Sequence, residues 1–242
     1  QYTLCCDEAT GGIVDDLLGR VDCAAASTLL TADDFSRFFE DKVAGVRAST
    51  AHAAEPTYSP APENCQLSWF PTVSEADVTA AIQSLPDKQC DLDPIPTWLL
   101  KVNARYLAPF ISKLFNTSLS AGQVPSIFKT AYVVPRLKKP DLDADDIKNY
   151  RPISNLPVLT KLLERIVAKH LVDYLKLYGI MPRLQSAYRA GHSTETALLK
   201  VTTDILTALD SGDLASLALL DMSAAFDTVD HSFMLRRLQT SY

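Results

Sequence analysis

From Thr31 onward the chain alternates helix-spaced apolar residues with short apolar runs, separated by polar punctuation. Phe35, Phe38, Phe39, Val43 and Val46 follow Thr31 at helical spacing, with Asp33 and Asp34 in the first turn, which predicts a helix start. Ser74 can cap a second helix with Asp77 three residues on, its face being Val78, Ala81, Ile82 and Leu85 until Pro86 stops it. Leu107, Phe110, Ile111, Leu114 and Phe115 predict a third, ended by Gly122. Asn155 is expected to cap a fourth, which carries Leu159, Leu162, Leu163, Ile166, Val167, Leu171, Tyr174 and Leu175 and ends at Gly179. A fifth runs from Ser193 through Ala197, Leu198, Val201, Ile205 and Leu209 to Gly212, and Asp230 can cap a last one carrying Phe233, Met234 and Leu238.

Strand signals are fewer. Thr130–Pro135 and the region around Ile153 are short and β-prone, with a polar turn at 138–143 between them. Leu214–Leu220 is an apolar run of strand length that Asp221 terminates. Helices mixed with short strands predict an α+β fold. Residues 1–30 are weakly patterned, and 48–66 are rich in Ala, Ser, Thr and Pro and read as a linker.

The length, 242 residues, suffices for one large domain or two small ones. Only 8 residues are Gly, which argues against several glycine-rich phosphate loops. No apolar run reaches the ~18 residues of a membrane span, and no targeting leader is visible. The net charge of −6 is uneven. Residues 1–75 carry 4 Lys/Arg against 12 Asp/Glu, whereas 129–169 carry 9 against 5. A basic stretch in an acidic chain marks either a polyanion site or a solvated face. Cys5, Cys6, Cys23, Cys65 and Cys90 form no Cys-x-x-Cys pair, and the histidines are not spaced to complete a zinc site. Reduced thiols in an intracellular compartment are expected.

The segment that carries chemistry is Leu219-Leu220-Asp221-Met222-Ser223-Ala224-Ala225-Phe226-Asp227. A carboxylate directly after a buried strand needs solvent, a cap or a cation. By residue type alone Asp221 reads as a turn or cap as readily as a ligand. The segment resembles motif A of reverse transcriptases, in the form found in LINE-type non-LTR retrotransposons: a strand, an Asp, four residues, then an aromatic followed by Asp. Tyr150-Arg151-Pro152-Ile153-Ser154 resembles the fingers segment of the same family. Gln185-Ser186-Ala187-Tyr188-Arg189-Ala190-Gly191-His192-Ser193-Thr194 resembles its next block, with Ala187 for the usual Gly and Tyr188 for the usual Phe. Upstream, 84–96 resembles the N-terminal extension of these polymerases.

The resemblance implies the fingers and partial palm of a right-hand polymerase, preceded by a helical and linker region. Its segments are an acidic connector at 1–66, a helical N-terminal extension at 67–128, and fingers with the first part of the palm at 129–242. It implies Asp221, with the Met222 carbonyl, as a ligand of Mg²⁺, since phosphoryl transfer uses two metal ions about 3.5–4 Å apart. It implies Arg151 as the clamp on an incoming triphosphate, a task suited to a permanently charged bidentate guanidinium. Lys138 or Lys139 is a further phosphate contact from the hairpin, or else a solvated loop residue. Phe226, beside Ala225, corresponds to the aromatic that excludes a 2′-hydroxyl, or else packs in the core. Gln185, Arg189 and Gly191 correspond to the block along the template strand. Partners by resemblance are an RNA template, a DNA primer and deoxynucleotides, in the nucleus or cytoplasm. The family's aromatic-Ala-Asp-Asp block is not found: Asp15-Asp16, Asp33-Asp34 and Asp145-Asp146 lack its flanks. The chain therefore reads as a piece of a larger enzyme, inactive alone. The rival expectations are a non-catalytic RNA-binding module and a retroelement relic.

Overall fold

The computed structural model describes residues 2–4, 29–63, 65–87, 93, 95–222 and 224–242. Expectations that fall on Cys5, Cys6, Cys23, Cys90, Ser223 and much of the 84–96 block lie outside the described residues. The chain divides into two compact units: residues 1–56 with 66–172, and residues 57–65 with 173–242.

In the first unit, strand β1 (Tyr2–Leu4) runs parallel to β2 (Ala131–Leu137), which pairs antiparallel with β3 (Tyr150–Asn155). Pro135 lies opposite Pro152. Antiparallel pairs alternate between those that exchange N–H···O bonds and those that do not, and Lys138 N donates to Asn149 O at 2.9 Å. Pro135–Pro152 is three pairs from that bonded 138–149 pair, an odd number, so the alternation makes it a non-bonded pair where no N–H is asked for, and both prolines are tolerated.

Helix α1 (Ala32–Thr50) begins at a reciprocal capping box. Asp34 N donates to Thr31 Oγ1, and Thr31 N donates to the Asp34 carboxylate at 2.9 Å. Its Phe35 is buried edge-on against Tyr150, with centroids 4.8 Å apart. Helix α2 (Glu75–Gln83) has the same box from Ser74 and Asp77. A short helix that the periodicity did not indicate, α3 (Thr97–Val102), precedes α4 (Ala104–Ala121), which Gly122 ends in the left-handed conformation at φ 62°. Six residues are too few for a 3.6-residue period to show.

The core of this unit joins α2, α3, α4 and the first turns of α5 (Val158–Leu177) through Val78, Ile82, Leu100, Ile111, Phe115 and Leu162. A buried polar knot ties the chain before α2 to α4. Ser112 Oγ and Asn116 Nδ2 donate to Val73 O at 2.8 and 2.9 Å, and Val73 N donates to Asn116 Oδ1 at 2.8 Å. Phe110 is exposed, so it does not share the buried face expected for it. Nor does Asn155 cap α5. It is the last residue of β3, and the first N–H of α5, on Val158, donates instead to Asp93 Oδ1 at 2.6 Å. A carboxylate at a helix N-terminus satisfies an orphan donor wherever it comes from in the chain.

The second unit holds the end of α5, helix α6 (Thr194–Asp210) and helix α7 (His231–Ser241). Ser193, the expected start of α6, is its cap, and Asp230 caps α7 as its sequence predicts. Residues 57–65, inside the Pro-rich segment, lie along α7. Tyr58 Oη donates to Phe233 O, Ala61 N to Thr240 O, and Ser241 Oγ to Ser59 O. Leu214–Leu220 is not a strand: it is a loop, exposed throughout. Among the described residues no strand lies beside it, and an apolar run without a ladder partner has no pairing to make it a strand. Among the described residues no helix is long and apolar enough to cross a membrane.

Candidate functional site

The first group of candidate residues sits on the β2–β3 hairpin, in the first unit. Arg136 and Arg151 are direct cross-strand partners, and both are exposed. Residues two apart on a strand share a face, so Lys138 follows Arg136 on that side. Its ammonium donates to Lys148 O. Like charges placed opposite each other repel, so this pairing is costly in the absence of an anion. The sequence motifs single out Arg151 and Lys138 but not Arg136, which only the strand register brings beside Arg151.

The loop that joins the two strands is held by Tyr150, whose hydroxyl donates to Ala144 O at 2.9 Å. Burial, then the nearby Asp145 and Asp143 carboxylates, push its phenol above the ordinary range.

The second group lies in the second unit. Asp221 and Met222 are exposed, at the end of the 214–220 loop. The chain then turns at Ala224, in the left-handed region at φ 50°, whose carbonyl accepts from Asp227 N, Thr228 N and Thr228 Oγ1. This turn presents Phe226 with its ring 78% exposed. Ala225, beside it, is half-buried. The Phe226 ring stands edge-on to Tyr188, at 6.3 Å and 78°. Phe226 is thus not a core residue of its unit.

Tyr188 belongs to a loop braced by its own polar side chains. Arg189 Nη1 donates to Pro182 O and Arg183 O, each at 3.2 Å, and Gln185 Nε2 donates to Ala187 O at 3.0 Å. These bonds hold Tyr188 in the left-handed region at φ 58°, where a bulky residue is strained. Gly191 also has a positive φ, 75°, with open space where a Cβ would stand. Glycine is therefore favoured there by backbone conformation rather than by crowding.

Magnesium was implied for Asp221. Its donor set here is one exposed carboxylate, and among the described residues no three His, Cys, Asp or Glu side chains lie together as a metal-holding group. Asp230 is engaged at the start of α7, where it accepts from Ser232 N and Phe233 N. Two-metal chemistry needs several carboxylates, so the described residues do not fit the pair of ions.

The sequence is similar to those of known proteins. Residues 137–241 match the family model described as reverse transcriptase (RNA-dependent DNA polymerase). The chain is 34% identical over 139 residues to a probable RNA-directed DNA polymerase from transposon X-element of Drosophila melanogaster, covering 57% of this chain and 15% of that protein. It is 30% identical over 164 residues to the corresponding protein from transposon BS of the same fly, covering 67% and 18%. It is 32% identical over 126 residues to the RNA-directed DNA polymerase from its mobile element jockey, covering 52% and 14%. The chain thus spans less than a fifth of the length of each of these relatives.

Proposed function

Because the chain carries part of a reverse transcriptase domain of the LINE type, matched over residues 137–241, we propose that it supplies the fingers and the opening of the palm of an RNA-directed DNA polymerase. The observation that carries this reading is the in-register Arg136–Arg151 pair with Lys138 on the same face. Two guanidiniums and an ammonium on one face suit the triphosphate of an incoming deoxynucleotide, which relieves their mutual repulsion.

The other residues take their roles from the same reading. Residues 1–66 are the connector, 67–128 the N-terminal extension, and 129–242 the fingers and first palm segment. Phe226, flanked by Ala225, forms the wall under the sugar, where a flat ring excludes a 2′-hydroxyl by size. Gln185, Arg189 and Gly191 shape the loop along the RNA template. Asp221 and the Met222 carbonyl would supply only part of the ligand set for the pair of magnesium ions used in phosphoryl transfer, and the described residues do not complete it. One carboxylate does not hold that pair, and the isolated 242 residues are expected to give no RNA-templated primer extension.

The reading is tested by titrating a fluorescent deoxynucleoside triphosphate into the chain. Arg151→Ala and Arg136→Ala should each weaken binding by about tenfold, the loss of one charge-assisted phosphate contact of ~1.4 kcal/mol. Equal affinity in the parent and both variants would sink the clamp. A second reading, an RNA-binding module without catalysis, is favoured by the single carboxylate at Asp221. RNA binding that survives Asp221→Asn, without primer extension in either protein, supports it.

A further inference from the structure

Among the described residues, the Pro-rich segment at 57–65 lies in no helix or strand, yet it is bonded to α7 near both ends of that helix. Tyr58 Oη donates to Phe233 O at 3.2 Å. Ala61 N donates to Thr240 O at 2.8 Å, and Ser241 Oγ donates to Ser59 O at 2.7 Å. At 3.6 residues per turn, Phe233, Arg237, Thr240 and Ser241 fall within about 100° of one another around α7. Arg237 therefore lies on the side that the segment covers, one turn before the Ser241 that meets Ser59.

Ser59 is exposed, and Pro60 follows it. Of the 14 prolines in the chain, Pro60 alone comes directly after a Ser or Thr. Proline has no N–H. An enzyme that clasps the residue after its target hydroxyl in an apolar pocket without a carbonyl acceptor therefore accepts Pro there, whereas any other residue leaves an N–H unpaired. That is the recognition logic of a proline-directed protein kinase. Proline also biases the residue before it toward extended backbone, the form a kinase cleft takes up. The charges beside Ser59 favour a phosphate. Helix α7 carries Arg236 and Arg237 and no Asp or Glu, and Glu63 is the one acid in 57–65. Arg236 lies over the Phe233 ring, 5.7 Å from its centroid, and Arg237 is exposed.

We propose that Ser59 is a phosphorylation site for a proline-directed kinase, and that its phosphate pairs with Arg237 and fastens residues 57–65 to α7. In the transfer, the bond from Ser59 Oγ to phosphorus forms as the bond between the γ-phosphorus and the β,γ-bridging oxygen of ATP breaks. ADP leaves, and the hydroxyl proton passes to the general base of the kinase. The product adds a charge of about −2 and three acceptor oxygens, which a guanidinium can meet with two parallel N–H donors. The site uses none of the residues given roles in nucleotide, template or metal contact.

The test treats the full chain with ATP and a cyclin-dependent kinase, a proline-directed enzyme, and maps the products by peptide mass. A phosphate on Ser59 is expected. None is expected in Ser59→Ala, nor at Ser59 in Pro60→Ala, which keeps the hydroxyl and restores the N–H. Hydrogen exchange of the Ala61 amide reports its bond to Thr240 O. Phosphorylation should slow that exchange by about tenfold, the weight of one charge-assisted pair, and added salt should diminish the effect. In Arg237→Gln, phosphorylated alike, the slowing should disappear. Ser59 and Arg237 are both exposed, so neither substitution takes a side chain from the core. A native chain that takes no phosphate at Ser59 overturns the proposal. So does phosphorylation that leaves Ala61 exchange unchanged, that speeds it, or that slows it equally in Arg237→Gln.

Discussion

Asp93 shows how much one side chain can organise. Its carboxylate accepts the first N–H of α5 from 65 residues away, at 2.6 Å, just beyond the strand that carries Arg151. Asp93→Ala leaves that donor without its cap and should cost about 1 kcal/mol of stability, while Asp93→Asn, which keeps an acceptor oxygen, should cost less. Urea unfolding of the two variants checks this, and equal midpoints for both and the parent would remove Asp93 from the role. Sequence reasoning placed the cap at Asn155 because it looked for a local acceptor. Nothing in the spacing announces an acceptor that arrives through tertiary structure. Arg136 was missed for a related reason: its neighbour is Arg151, and only strand register makes them adjacent.

Helix starts, by contrast, were legible. The Thr31–Asp34 and Ser74–Asp77 boxes form because each partner lies within one turn of the other. In each, hydrogen bonds to the carboxylate from the cap side chain and then the cap backbone hold the Asp below its ordinary value. A depressed folded value means that the contribution is complete above the unfolded carboxylate value, about pH 4, and is lost as pH falls through the folded one. The urea midpoint should therefore drop between pH 6 and pH 3. Asp77→Asn, which has no charge to lose, should flatten part of that drop, and an unaltered profile would count against the box as its source. Helix α6 was also legible in extent and caps, but its apolar positions did not predict burial: Leu198 and Leu209 are more than half exposed. Periodicity marks a face suited to burial and does not say what covers it.

At the scale of the whole molecule, the second unit leaves Leu214, Leu217, Leu219, Leu220 and Met222 in water. An exposed apolar segment outside any ladder among the described residues invites pairing with other chains. Leu217→Lys with Leu219→Lys should reduce self-association in sedimentation and dye binding to exposed apolar surface, without lowering the unfolding midpoint. A lowered midpoint would mean that these leucines hold the unit together. The same exposure explains why the strand expected at 214–220 is absent: β structure takes its hydrogen bonds from a neighbour, whereas a helix makes its own.

That difference separates what each level decided. The sequence by itself determined six of the seven described helices, the caps that lie within one turn of their own helix, the hairpin strands and the family to which its motifs belong, since all of these rest on contacts or patterns within a few residues. Tertiary structure alone decided that Asp93 caps α5, that Arg136 faces Arg151, that Phe226 stands against Tyr188, and that Phe110 of α4 faces solvent. Each joins residues far apart in the chain or concerns a face that folding left uncovered, and neither is encoded in local spacing.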